Sequence, residues 1–318
     1  MRRLHLIAVF ISFWAVPAQA HVAAAPGSQA WHEWRPDIWI VAAILLTLGL
    51  YLLGLVRLWR ASAMGRGIGT GRAACFVAGG LILLVALASP LERLAGALLT
   101  AHMVQHVIVI AVAPPLIVLG RAEVAFAWAM PRATRRGLVR HTFVRGIARL
   151  LHPLVRPLPA TLLHGAAVWI WHAPGLFQAA LANSLLHDLE HASFFVTALA
   201  FWYGTLLAVR SPTAIMAAMV CMVITLIHGG LLGALITLTP SVLYPIYAGS
   251  TGAFGLTSLE DQQLAGLIMW VPASAIYLLA CLYLAACLLD VTGQHSQRKP
   301  AAMPAAGHKL TGAPGRIR

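Results

Sequence analysis

Acidic residues are scarce in this chain. Nine Asp and Glu stand against 22 Lys and Arg in 318 residues, and charged residues of both signs make up only 10% of the sequence. A soluble domain carries about 25%, so a water-soluble globule is excluded and an integral membrane protein remains. Cysteine is also sparse. Cys75, Cys221, Cys281 and Cys287 all lie in apolar runs and form no C-x-x-C pair, which excludes a disulfide framework and leaves four small buried hydrophobes. No phosphate-binding glycine loop, dinucleotide fingerprint or nucleophile elbow is present. The formal charge of +13 does not indicate nucleic acid, because the basic residues sit between apolar runs, as topology-setting charges do.

What the chain has in abundance is apolar sequence, 60% of all residues. Arg2 and Arg3 precede an apolar stretch from Leu4 to Val16 and then Ala18-Gln19-Ala20, the layout of a secretory signal over residues 1–20. Cleavage there would leave His21 first, with a terminal amine beside its imidazole. A short external segment follows (21–37), then seven apolar runs at about 38–58, 72–89, 95–119, 158–173, 186–209, 213–238 and 263–289, each near the length a bilayer requires. Eighteen of the 22 Lys and Arg fall on one side of this succession, and only Arg35 and Arg93 fall on the other, Arg2 and Arg3 belonging to the signal. Positive charge marks the cytoplasm. The expectation is therefore an all-α, polytopic helical bundle with seven transmembrane helices (38–289), a periplasmic N-terminus and a cytoplasmic C-terminus. The long basic loop 120–157 would be cytoplasmic, as an amphipathic helix on anionic lipid or a solvated connection, and the Gly-, Pro- and Lys/Arg-rich tail 290–318 disordered.

Histidine is unusual in such spans, and ionisable residues inside them are functional by default. His102 and His106 stand one helical turn apart in the third run, His172 ends the fourth after Trp169-Ile170-Trp171, and His187 and His191 open the fifth. All five fall at the outer level. An i, i+4 pair places two imidazoles on one face, as two ligands of one ion require. Met103, about 100° round the helix, is a candidate third ligand. Asp188 and Glu190 could orient the neighbouring imidazoles or cap the helix start. Asp261, at the outer start of the seventh run, is a candidate ligand, orienting acceptor or N-cap. His164 lies deeper, in a structural or relay position. His228 could join the site from below, and Met216, Met219 and Met222 form either core filling or a soft-metal path. Neutral nitrogen donors without thiolates favour copper or haem iron over closed zinc.

With those residues in view, the chain resembles the CtaG family of cytochrome c oxidase assembly factors. The resemblance rests on HMVQH and the following APPLIVLG (102–120), WIWHAP (169–174), HDLEH with the following FW (187–202), HGGLLGALIT (228–237), LYPIY (243–247) and DQQLAGLIMWVP (261–272), which together span nearly all of the membrane core. It implies a polytopic helical bundle in the bacterial inner membrane that serves maturation of a haem–copper oxidase, with copper delivery as the supposed mechanism. The family's motif residues correspond here to His102, His106, Trp171, His172, His187, His191, Asp261 and Gln262. An unrelated single-span copper chaperone with cysteine ligands shares the family name, and this chain lacks that architecture.

The combined expectation is a non-enzymatic assembly factor that binds copper at His102, His106, His187 and His191, with His172 as a fifth candidate ligand and Asp261 as an orienting acceptor. It would pass copper to an oxidase subunit, with a periplasmic copper chaperone as candidate donor and membrane lipids around it. The rivals are a bis-His haem protein, a copper permease using the methionine row, and a structural scaffold for oxidase subunits.

Overall fold

The computed structural model describes residues 37–140, 146, 149–207 and 211–297. The signal segment, His21, Arg210 and the tail beyond 297 lie outside the described residues, as does part of the basic loop. Among the described residues every regular element is helical. In chain order these are α1 (Ile38–Ser62), α2 (Thr70–Ala88), α3 (Pro90–Ala97), α4 (Leu99–Val107), α5 (Ala113–Leu119), α6 (Ala122–Ala129), α7 (Arg132–Arg140), α8 (Pro157–Trp171), α9 (Pro174–Ala182), α10 (Ser184–Trp202), α11 (Pro212–Leu238) and α12 (Ser258–Gln297). Five rods are long and apolar enough to cross a membrane: α1, α2, the α4–α5 rod over Leu99–Leu119, α11 and α12. The chain is a helical membrane protein. Two further rods, α8 and α10, lie among them. The first has 15 residues, short of the roughly 20 needed to span. The second is diluted at its start by His187, Asp188, Glu190 and His191.

Local sequence explains where the rods begin and bend. Asp37 caps α1 by accepting from the backbone N–H groups of Trp39 and Ile40, and Asn183 caps α10 through Leu186. The α4–α5 rod passes through a wide π-turn over Ile108–Val112 immediately before Pro114 and Pro115. Pro114 has no N–H for the Ile110 carbonyl four residues back. That carbonyl instead accepts from Trp202 Nε1 at 3.0 Å, so the bond lost to proline is recovered from α10, as a low-dielectric setting demands. Trp202 in turn stacks on Tyr277 of α12, with ring centroids 5.4 Å apart.

Small residues set the tightest crossing. A Cβ on Gly233 of α11 would sit 2.8 Å from the Gly266 carbonyl of α12, and one on Gly266 would lie 2.6 Å from the Gly233 carbonyl. Without a hydrophobic driving force between helices in lipid, this close backbone approach supplies packing. The α4–α5 rod is the centre, packed against α2, α10 and α12. The basic segment after it is not wholly a solvated loop, since α6 folds back on α1 and seats Ala125 against Gly54. The last helix runs on to Gln297, past the end at 289 anticipated from hydropathy.

Candidate metal centre

The site lies at the end of the bundle where α4, α10 and α12 begin and α8 and α11 finish. Its foundation is a cap between helices. The chain is extended at Leu98, between α3 and α4. The first N–H groups of α4 therefore lack a carbonyl behind them. Asp261 of α12 supplies both acceptors. Its Oδ2 takes Leu99 N–H at 2.7 Å and its Oδ1 takes Thr100 N–H at 3.0 Å, while Thr100 Oγ1 donates to the Asp261 carbonyl at 3.0 Å. Of the roles open to Asp261, the structure gives it that of an N-cap, and on another helix than its own. Gln262, next in sequence, holds the connection between α11 and α12 by accepting from Leu243 N–H at 2.6 Å and donating to the carbonyls of Ser241 and Ile236.

Fixed by that cap, α4 turns His102 and His106 inward. His102 is fully buried and His106 is 1% exposed, and their Nε2 atoms lie 2.8 Å apart. Opposite them, α10 presents His187, Glu190, His191 and Phe194, all buried. The spacing i, i+3, i+4, i+7 makes these one helical stripe. His187 and His191 have ring centroids 4.2 Å apart, His102 lies 5.5 Å from His187, and His106 lies 5.3 Å from His191. The four imidazoles form a ladder of two rungs between α4 and α10. His172, at the end of α8, joins the inner rung with its ring 5.5 Å from that of His106. All five sequence-predicted histidines are thus brought together. Phe177 of α9 packs against His102 at 5.1 Å and Phe194 against His106 at 4.9 Å, so the ladder sits in an apolar sleeve.

Hydrogen bonds preset the ring nitrogens. His172 Nδ1 donates to the Val168 carbonyl at 2.7 Å. Its Nε2 therefore carries the lone pair, and that atom is buried without a hydrogen-bond partner. Tyr247, from the connection between α11 and α12, reaches the Ala95 carbonyl and His102 Nδ1, each at 3.1 Å. A carbonyl can only accept, so the phenolic proton goes to Ala95 and His102 Nδ1 donates to the phenol oxygen, which puts the lone pair of His102 on Nε2, the atom that meets His106 Nε2. Burial first, and then the charges of Glu190 and Asp261, hold the Tyr247 phenol well above its usual range, so it stays protonated. Orienting an imidazole through its second nitrogen is how metal-binding histidines are held.

Two groups of donor atoms converge within 4.8 Å: His102, His106 and His191, and His102, His187 and Glu190. The 2.8 Å between the Nε2 atoms of His102 and His106 matches two ligands at right angles on one ion, which metal–nitrogen bonds of about 2.0–2.1 Å place about 2.9 Å apart. The same distance also suits a single shared proton. His106 Nδ1 and both oxygens of Glu190 are buried without a hydrogen-bond partner, and Glu190 Oε1 stays 3.8 Å from His106 Nε2. A carboxylate shut away in this manner is costly unless a cation or a proton compensates it. The donor set fits a metal ion. His172 and Asp261 stand outside both groups, the first beside the inner rung and the second spent on the helix cap.

Sequence reasoning treated Asp188 and Glu190 alike and did not place Glu190 among the site residues. The signal was available: only Glu190 shares the stripe of His187, His191 and Phe194, whereas Asp188 lies off that stripe and is half-buried. Tyr247 stands in the LYPIY stretch, with no sign in the sequence of the imidazole it meets, and Phe177, in the short helix α9, carries no such signal. His228 does not join the cluster from below. Its Nε2 would lie 3.2 Å from a Cβ on Gly165, beside His164, whose Nδ1 meets Thr197 Oγ1 at 3.1 Å. Met103 is buried in the apolar core, and the methionine row is split, with Met222 buried and Met216 47% exposed.

The family model described as "Cytochrome c oxidase caa3 assembly factor" (Caa3_CtaG) matches residues 49–290. The chain belongs to this family. The matched region takes in every residue of the ladder, both of its aromatic walls, Tyr247 and the Asp261 cap. No curated protein and no solved structure matches the chain. Membership of a cytochrome c oxidase assembly family implies an oxidase as partner.

Proposed function

We propose that this protein is a non-enzymatic assembly factor that binds copper as cargo at the histidine ladder and passes it to a subunit of a haem–copper oxidase. The observation that carries the reading is the convergence of buried imidazoles from two helices, joined by a buried carboxylate without a hydrogen bond. Neutral nitrogen donors suit copper, and deprotonated donors held ready by Tyr247 and Val168 suit binding without rearrangement. Haem is the weaker reading. Bis-His ligation across two spans would set the macrocycle between α4 and α10, where the rings of His102 and His187 stand only 5.5 Å apart and those of His106 and His191 only 5.3 Å. The split methionine row argues against a continuous soft-metal path along α11.

In this reading α8 and α10 also cross, making seven spans behind a cleaved signal. The ladder faces the periplasm of a bacterial inner membrane and the basic segments face the cytoplasm. A periplasmic copper chaperone would load the site, and lipid would surround the rods. Metal analysis of the purified protein beside His102→Ala/His106→Ala tests it. The wild type should carry copper and the double variant should not, and equal metal content in both would remove the proposed centre.

A further inference from the structure

The two convergent groups share one member. His102 belongs with His106 and His191 in one and with His187 and Glu190 in the other. Beyond His102 the two groups have no member in common, so they bound two positions that meet at that one imidazole. His102 has only one nitrogen to offer. Its Nδ1 donates to Tyr247, whose own proton is taken by the Ala95 carbonyl, so its one lone pair is on Nε2, the atom that meets His106 Nε2, and one lone pair can hold a single ion.

We propose that the ladder offers one copper ion two mutually exclusive positions that pivot on His102. The first, bounded by His102, His106 and His191, takes monovalent copper. The second, bounded by His102, His187 and Glu190, takes divalent copper. This inference rests on the copper reading above and refines it. Three neutral imidazoles suit the softer, monovalent ion, and a carboxylate adds the charge and hard oxygen that favour the divalent one. Glu190 is fully buried, neither of its oxygens has a hydrogen bond, and the His106 imidazole stays 3.8 Å away. A cation bound at the second position would meet that buried charge.

The test uses the full-length wild type, Glu190→Gln and His106→Ala in detergent. Monovalent copper is titrated anaerobically against a chromophoric chelator. Divalent copper is quantified by metal analysis and electron paramagnetic resonance. The wild type should bind one ion per chain in either oxidation state. Glu190→Gln should lose about tenfold or more in affinity for divalent copper and hold its monovalent affinity within about threefold; His106→Ala should do the reverse. If His106→Ala does not fold, His106→Gln is read in its place. Loss of both oxidation states in step in both variants, or two ions bound at once to the wild type, would overturn the two-position proposal alone. A wild type that binds no copper would overturn it together with the metal reading.

Discussion

Replacing Asp261 with Asn separates capping from ligation more sharply than any other change. The carboxylate accepts two backbone N–H groups, at 2.7 and 3.0 Å, and is 1% exposed. Bonds of this kind to a charged group are worth about 1.5–3 kcal/mol each, and a negative charge at a helix start adds a favourable contribution with the helix dipole. An amide keeps one acceptor but turns its NH2 onto the second N–H, so one bond is lost and two donors oppose each other. The expected cost is about 2–3 kcal/mol. For 150–250 residues each kcal/mol moves the midpoint by about 2–4 °C, giving a fall in Tm of about 5–10 °C. Thermal unfolding in detergent, followed by tryptophan fluorescence, reads this directly, and metal analysis of the folded fraction reads the site. Copper per folded chain should be preserved, because neither convergent group includes Asp261. An unchanged Tm accompanied by loss of copper would refute the reasoning and make Asp261 a ligand.

Tyr247→Phe removes the acceptor that orients His102 through Nδ1 and should weaken copper binding about 10- to 100-fold at unchanged secondary structure, measured by chelator competition. Trp202→Phe leaves the Ile110 carbonyl without its indole donor and should cost about 1–3 kcal/mol in thermal unfolding. Adding Pro114→Ala restores a backbone N–H near that carbonyl and should recover part of the loss, and an absent recovery would show that the indole serves another purpose. Glu92, in the short helix α3, has its carboxyl pushed up to about 7, by burial first and then by the charge of Asp37, partly offset by Arg93. A raised carboxyl pKa means that the folded chain binds the proton more tightly than the unfolded one, so stability falls as pH rises from about 4.3 to about 7 and levels off above that. Glu92→Gln should therefore gain stability relative to the wild type between pH 5 and pH 8, and an offset independent of pH would show that this titration is not coupled to folding.

Much of the ladder was legible before any coordinates, for a specific reason. Helical periodicity is local, so His102 and His106, or His187 and His191, had to share faces once their segments were helices. Glu190 was equally legible and was passed over, because its neighbour Asp188 looked the same in composition and differed only in phase. For Asp261 the sequence leaves three roles open. Choosing among them required knowing that the α3–α4 junction, 161 residues away from it in sequence at Thr100, leaves two N–H groups facing α12. Likewise Pro114 announced a lost hydrogen bond, but not that Trp202 would replace it.

By itself the sequence determined a helical membrane protein, the order of its apolar rods and the common level of five histidines, because composition and a period of 3.6 residues act over short stretches of chain. Only the tertiary structure decided how each rod is rotated about its axis and which partner it meets. That rotation is set by side-chain packing and by backbone groups seeking partners across helices, and it put Glu190 into the ladder, spent Asp261 on a cap and carried His228 away to Gly165.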